Sequence, residues 1–145
     1  MHVIRWLFPL VAVGVSVAAF AQSVAPLPKS LSGSWTAVVP GRATFTDSMS
    51  VVLDGPGEPG PLTGRMTSRG VTCGALDEPL TGSWDGKELR LESKVRPNVN
   101  VARINGDCAS GRVTYVLTRR SGQAKFEGEG QRDGMSIPVQ VTLSP

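Results

Sequence analysis

Apolar and polar residues alternate with period two along most of this chain, and no stretch sustains the 3.6-residue period of an amphipathic helix. Leu89, Leu91, Ser93 and Val95 fall on one parity, while Arg90, Glu92 and Lys94 fall on the other. That is the signature of a strand with one wet face and one dry face. Met49, Val51 and Leu53 form a similar row, as do Val113, Tyr115 and Leu117. Phe126, Gly128 and Gly130 face opposite to Lys125, Glu127 and Glu129, and Ile137, Val139, Val141 and Leu143 close the series.

Turn residues punctuate these rows. Asp85-Gly86, Asn105-Gly106, Ser121-Gly122 and Asp133-Gly134 sit between apolar runs, and Asp85-Gly86 reads as a two-residue type I′ turn with positive φ at both positions. Asp54-Gly-Pro-Gly-Glu-Pro-Gly-Pro61 reads as a longer loop. Strands are expected near 33–39, 43–53, 62–68, 79–85, 87–95, 98–104, 111–119 and 124–143, the last a pair joined at Asp133-Gly134, with a short extra piece at 71–77. About eight sequential strands joined by tight turns form an antiparallel up-and-down meander. Closing it into a small barrel removes the edges that invite aggregation.

The amino terminus follows a different pattern. Met1–Arg5 is short and positively charged, Leu7–Ala21 is apolar apart from Ser16, and the stretch ends in Ala19-Phe20-Ala21, a small-x-small cleavage site. These 15 apolar residues, with Pro9 among them, are short for a bilayer that asks for roughly 20. The expectation is a signal peptide over 1–21, a flexible lead-in over 22–30 and an all-β barrel domain over 31–145, exported to the periplasm or secreted, with no membrane association after cleavage. The oxidising destination makes Cys73 and Cys108 a disulfide, worth roughly 3–4 kcal/mol for a loop of about 35 residues.

Charge and composition narrow the chemistry. Without Arg5 the chain carries 14 Lys and Arg against 12 Asp and Glu, scattered rather than clustered, with one Tyr, two Trp and two Phe. A nucleic-acid surface needs a basic stripe and stacking aromatics, so nucleic acid is not expected as a partner. The only His, His2, leaves with the leader, which removes Ser-His-Asp and Cys-His catalysis and histidine metal ligation. No phosphate-binding glycine loop is present, and no cofactor or metal is expected. Paired carboxylates are the one open catalytic route. The pairs Asp77-Glu78, Asp85 with Glu88, and Glu127 with Glu129 all read as solvated charge.

Leu31-Ser-Gly-Ser-Trp35, Leu62-Thr-Gly-Arg-Met66 and Leu80-Thr-Gly-Ser-Trp84 echo one another. Their plain structural sense is a glycine where a strand bends and a large side chain two residues on that fills the core. Gly33-Ser-Trp-Thr36, Leu62-Thr-Gly-Arg-Met66 and Pro79-Leu-Thr-Gly82 also resemble the framework of the avidin family, within the wider calycin set of up-and-down barrels. The resemblance implies an eight-stranded barrel whose mouth holds one small ligand. It does not extend to the biotin site. Ala37 stands where the family has Asn two residues after the first Trp, Met66 replaces the Tyr after Thr-Gly, and Tyr115 alone represents the later aromatics. Ala109-Ser-Gly-Arg-Val-Thr-Tyr115 is similar to the Ser-Gly-x-x-Tyr loop of periplasmic C-type lysozyme inhibitors, with one residue more.

The expected role is a non-catalytic binding protein with Trp35 packed at the closed end of the barrel. In one form Met66, Trp84 and Tyr115 line a site for a small apolar ligand. In the other a surface loop carrying Ser110, Gly111 and Tyr115 engages a protein partner such as a hydrolase.

Overall fold

The computed structural model describes residues 24–38, 44–70, 74–95, 111–120, 123–133 and 139–145. Cys73, Cys108 and Ser110, the expected strand at 98–104, and the leader lie outside the described residues. The described chain is all strand and connection. In order the strands are β1 (Ser30–Val38), β2 (Thr44–Leu53), β3 (Gly60–Gly70), β4 (Gly74–Trp84), β5 (Glu88–Val95), β6 (Gly111–Arg119), β7 (Phe126–Arg132) and β8 (Val139–Ser144). Each pairs antiparallel with the next, and β8 pairs with β1, so the meander closes into a barrel.

Alternation sets the inside. Met49, Val51 and Leu53 of β2, Leu89 and Leu91 of β5, and Val113, Tyr115 and Leu117 of β6 are all buried in one continuous hydrophobic cluster. The outward positions between them carry the charge. The echoing motifs serve the same end. Gly33, Gly64 and Gly82 lie so close to the neighbouring strand that an added Cβ would sit about 2 Å from the carbonyl oxygen of Thr142, Val52 or Arg90. Two residues on, Trp35, Met66 and Trp84 are buried in the core.

Three expectations change. The β4–β5 connection spans Asp85–Lys87 and is not a type I′ turn, because only Gly86, at φ +100°, takes positive φ. Asp85 instead accepts the backbone N–H groups of Lys87 and Glu88 on Oδ1, at 2.8 and 2.7 Å, and this side-chain contact holds the turn. β3 takes in Gly60 and Pro61, paired with Trp84 and Ser83; proline is tolerated at the start of a strand. β4 starts at Gly74, well before the expected 79, and so absorbs the separate piece foreseen there.

The two ends of the barrel differ. Strands β2, β4, β6 and β8 finish at the lead-in end, where residues 24–29 dock. Leu27 joins the core and donates its N–H to the Gly57 carbonyl at 2.8 Å, while Leu53 donates to the Lys29 carbonyl at 2.9 Å. Arg119 Nη1 donates to the Ala25 carbonyl at 3.2 Å. Nothing in the Gln22–Ser30 composition signals this docking. Strands β1, β3, β5 and β7 finish at the opposite, far end, at Val38, Gly70, Val95 and Arg132.

Candidate functional site

Met66, Trp84 and Tyr115 are all buried in the barrel core. Trp84 closes β4 at the lead-in end, in register with Gly60 and Leu89, and meets Phe126 edge-on at 5.8 Å. This corrects the expectation for Trp35: the indole packing the closed end is that of Trp84, because β4 runs toward that end and Trp84 is its last residue. Trp35, late in β1, lies toward the far end. Tyr115 sits inside on β6, level with Leu91 and Gly130, and an added Cβ at Gly130 would come within 2.6 Å of its ring. Burial pushes its hydroxyl up to about 12, against a smaller opposing pull from the Arg132 guanidinium. Gly111 opens β6, so Gly111 and Tyr115 are strand residues, and Tyr115 is not presented on a surface loop.

The unexpected feature is polar. Asp47 on β2, Ser68 on β3, Glu78 on β4 and Ser93 on β5 all share the inward parity of their strands and are buried. Trp35 Nε1 donates to Ser68 Oγ at 3.0 Å, linking β1 to β3 across the interior past Met49. Ser93 Oγ donates to the Pro79 carbonyl at 3.3 Å. Asp47 is fully buried beside Gly70, where any Cβ would collide with its carboxylate.

The setting of Glu78 is distinct. Ladder pairing between β4 and β5 stops at Leu80–Ser93, while β4 continues along β3 to Gly74 and β5 continues along β6 to Val95. The described β4–β5 pairs run from Leu80–Ser93 to Trp84–Leu89, and the residues that would stand opposite Gly74–Asp77 lie outside the described residues. Proline cannot donate to a ladder, and Pro79 stands next to the last described β4–β5 pair. Glu78 is next to it, 9% exposed, with no hydrogen bond or ion pair to any described residue.

Exposure falls along the barrel axis in the same sense. Leu31, Leu53, Leu89, Leu117, Phe126 and Leu143 near the lead-in end are fully buried. Trp35, Leu76, Glu78, Ser93, Val113 and Tyr115 toward the far end retain 4–9%. Leu62 departs from the trend because it borders a shallow groove lined by the Gly55–Pro61 loop, and Asp47, paired with Trp35 toward the far end yet fully buried, departs in the other direction.

The carboxylate pairs are separated or engaged. Asp77 faces out and holds Arg65 at 2.8 Å, whereas Glu78 faces in, so the two do not share a site. Backbone N–H bonds from Glu88 and Lys87 hold the Asp85 carboxyl below its ordinary range. Glu88 pairs with Arg90 at 3.3 Å. Glu127 is held by Lys125 at 2.6 Å and Arg120 at 2.7 Å, and the Lys125 hydrogen bond is the main cause of its lowered pKa. Glu129 accepts from Gln140 Nε2 at 2.9 Å.

Among the described residues, no group of three or more His, Cys, Asp or Glu could hold a metal ion, and no helix is long and apolar enough to cross a membrane. The interior positions of Asp47 and Ser93 are legible in the sequence, because each continues an apolar row, Asp47 with Met49 and Ser93 with Leu91. No family model, no curated protein and no solved structure matches the chain.

Proposed function

We propose that this chain is an exported, non-catalytic β-barrel protein that binds another molecule, a small ligand or an inserted group of a protein partner, at the far end of its interior. The division of the core carries this reading. The lead-in half is closed by packed apolar side chains, while toward the far end Ser68, Glu78 and Ser93 turn polar groups inward. Polar side chains on the inward parity add little to a packed apolar core. A ligand that meets these groups accounts for them, in keeping with sites that are mostly apolar with a few convergent polar atoms.

The remaining parts of the reading fit together. The leader over 1–21 delivers the chain to the periplasm or beyond, where Cys73 and Cys108 join; the described strands that follow them, β4 and β6, both start at the far end. Loss of the leader removes the only imidazole, and the candidate carboxylate pairs are split across faces or tied to cations and backbone, which supports binding over turnover. With Tyr115 inside the barrel, no specific observation favours a hydrolase inhibitor acting through Ser110, Gly111 and Tyr115 on a surface loop.

A ligand-observed NMR screen of a small-molecule library against the mature chain, with hits mapped on amide shifts, tests the site. Hits should move Trp35, Ser68, Glu78 and Ser93 and leave Leu53 and Phe126 still. Hits confined to outward positions or to the Gly55–Pro61 groove would overturn it. The intact mass of the exported protein should correspond to a chain starting at Gln22 and lighter by two hydrogens than its reduced form.

A further inference from the structure

The lead-in end of the barrel holds two donor groups that the chain itself leaves incompletely matched. Trp84 Nε1 is buried at the end of β4 and has no hydrogen-bond partner. An indole N–H only donates, so enclosing it without an acceptor removes its bond to water with no replacement. Arg119, at the end of β6, forms no ion pair with a described residue, and its Nη1 donates at 3.2 Å to the Ala25 carbonyl. Both side chains lie beside one ring. The Trp84 indole meets Phe126 edge-on at 5.8 Å, and the Arg119 guanidinium is 5.7 Å from the same ring centre. We propose that this end of the barrel is a second binding site, for an alkyl carboxylate such as a medium-chain fatty acid, and that residues 24–29 form a strap that fills the site until the ligand displaces it. This site is separate from the far-end one and does not rest on it.

The strap imitates such a ligand in part. Its Ala25 carbonyl stands where a carboxylate oxygen meets Arg119, and its Leu27 side chain supplies the apolar contact, buried in the core cluster. What the strap lacks is charge and a further acceptor. A neutral carbonyl leaves the guanidinium uncompensated. A carboxylate takes charge-assisted bonds from an arginine and keeps lone pairs for an indole N–H.

The strap is also thin enough to be displaced. Val24, Ala25, Pro26 and Lys29 are exposed, and Leu27 is the one buried side chain of the six. Its backbone is held by the Leu27–Gly57 and Leu53–Lys29 hydrogen bonds and by the Arg119 contact, and Pro26 and Pro28 have no N–H to add. From Ala25 to Leu27 an extended backbone covers roughly 7 Å. Gly57, which accepts the Leu27 N–H, also lines the groove formed by Gly55–Thr63. An alkyl chain that starts at Arg119 and follows the strap passes the Leu27 position and reaches that groove beside Leu62. This path calls for a chain longer than butyrate.

The mature chain is titrated by NMR with decanoate, butyrate and decanol, each below its aggregation concentration, while the indole N–H signals of Trp35 and Trp84 are followed. Decanoate should bind saturably, move the Trp84 indole signal downfield and leave that of Trp35, already bonded to Ser68, in place. The Ala25 and Leu27 amides should shift toward free-chain values. Butyrate and decanol should each bind at least tenfold more weakly. Deleting residues 22–28 removes the competitor and should tighten decanoate binding at least tenfold, because a site open only part of the time binds in proportion to its open fraction. Leu27→Ala should act in the same direction and replaces the truncation if that chain does not fold. Arg119→Gln is made in the opened background, since in the full chain it also frees the strap. There it should weaken decanoate binding at least tenfold and leave decanol binding unchanged.

Strap amides that stay put at saturation, a static Trp84 indole signal, equal binding of decanol, or undiminished binding by Arg119→Gln would each overturn the proposal. Decanoate that moves Ser68 and Ser93 instead of Leu53 and Phe126 would belong to the far-end site and remove this one. No decanoate binding to the opened chain would remove this site and leave the far-end reading standing.

Discussion

Tyr115 is the single tyrosine of the chain, which turns its burial into a measurable quantity. An unfolded tyrosine loses its proton near pH 10, whereas burial pushes this one to about 12. Between those values the unfolded state has released a proton that the folded state still holds, so stability falls as pH rises. The contribution is fully present below pH 10 and is lost on passing through about 12, a total of roughly 3 kcal/mol at about 1.4 kcal/mol per pKa unit. Absorbance of tyrosinate in the folded protein should follow one transition centred near 12, and Tyr115→Phe should flatten the fall in urea midpoint between pH 9 and 11.5. A transition centred near 10 would place the hydroxyl in water. Glu78 poses the opposite problem at the same scale. Its burial is not legible in the sequence, where Asp77-Glu78 reads as solvated charge. Once β4 is known to start at Gly74, the parity shared with Leu76 and Leu80 turns Glu78 inward.

At the level of the strand, period-two alternation was readable because a closed barrel gives every strand one dry face and one wet face. The rows in β2, β5, β6 and β7 came directly from it, and so did the purpose of the three echoing motifs. Gly82 shows why the glycine is needed. Its position for a Cβ lies 2.1 Å from the Arg90 carbonyl oxygen, a backbone atom that cannot rotate away. Gly82→Ala should therefore push β4 from β5 and cost about 1–3 kcal/mol, as overpacking does. The loss should appear as a lower urea midpoint, accompanied by amide shift changes at Arg90 and Leu91. A neutral substitution would mean that the strands are not this close. Turn types were less legible than strands. Asp-Gly announces a reversal, but the backbone alone does not reveal that the Asp85 carboxylate will collect two amides and stretch the connection to three residues. Strand ends were missed for a related reason: Pro61 and Pro79 look like breakers in the sequence, yet the fold places one at the start of β3 and the other inside β4, paired with Arg65.

Considered whole, the barrel is a cylinder stoppered at one end by its own chain, and this could not be foreseen from a short segment with no periodicity. Leu27 is one apolar residue between two prolines, and only the closed barrel provides the surface that buries it. The stopper is held from two sides. Gly57, at φ +73°, turns its carbonyl to the Leu27 N–H, and its missing Cβ leaves space that would otherwise be 2.2 Å from the Leu27 carbonyl oxygen. Arg119, whose guanidinium lies 5.7 Å from the Phe126 ring, reaches the Ala25 carbonyl from β6. Leu27→Ala should cost about 2–4 kcal/mol, in the range for a buried leucine. Deleting residues 22–28 should cost more, because it also strips the partners of Gly57 and Arg119 and uncovers core beneath. Denaturant unfolding of the mature chain, the point variant and the truncated chain measures both costs. If the truncation proved as stable as the intact chain, the lead-in would be an appendage rather than part of the fold. Both variants should keep the amide shifts of Ser68, Glu78 and Ser93, because the stopper and the polar layer sit at opposite ends of a packed core. A far-end shift on losing Leu27 would show that the two ends communicate through that core, and stability and binding could then not be assigned to separate halves of the barrel.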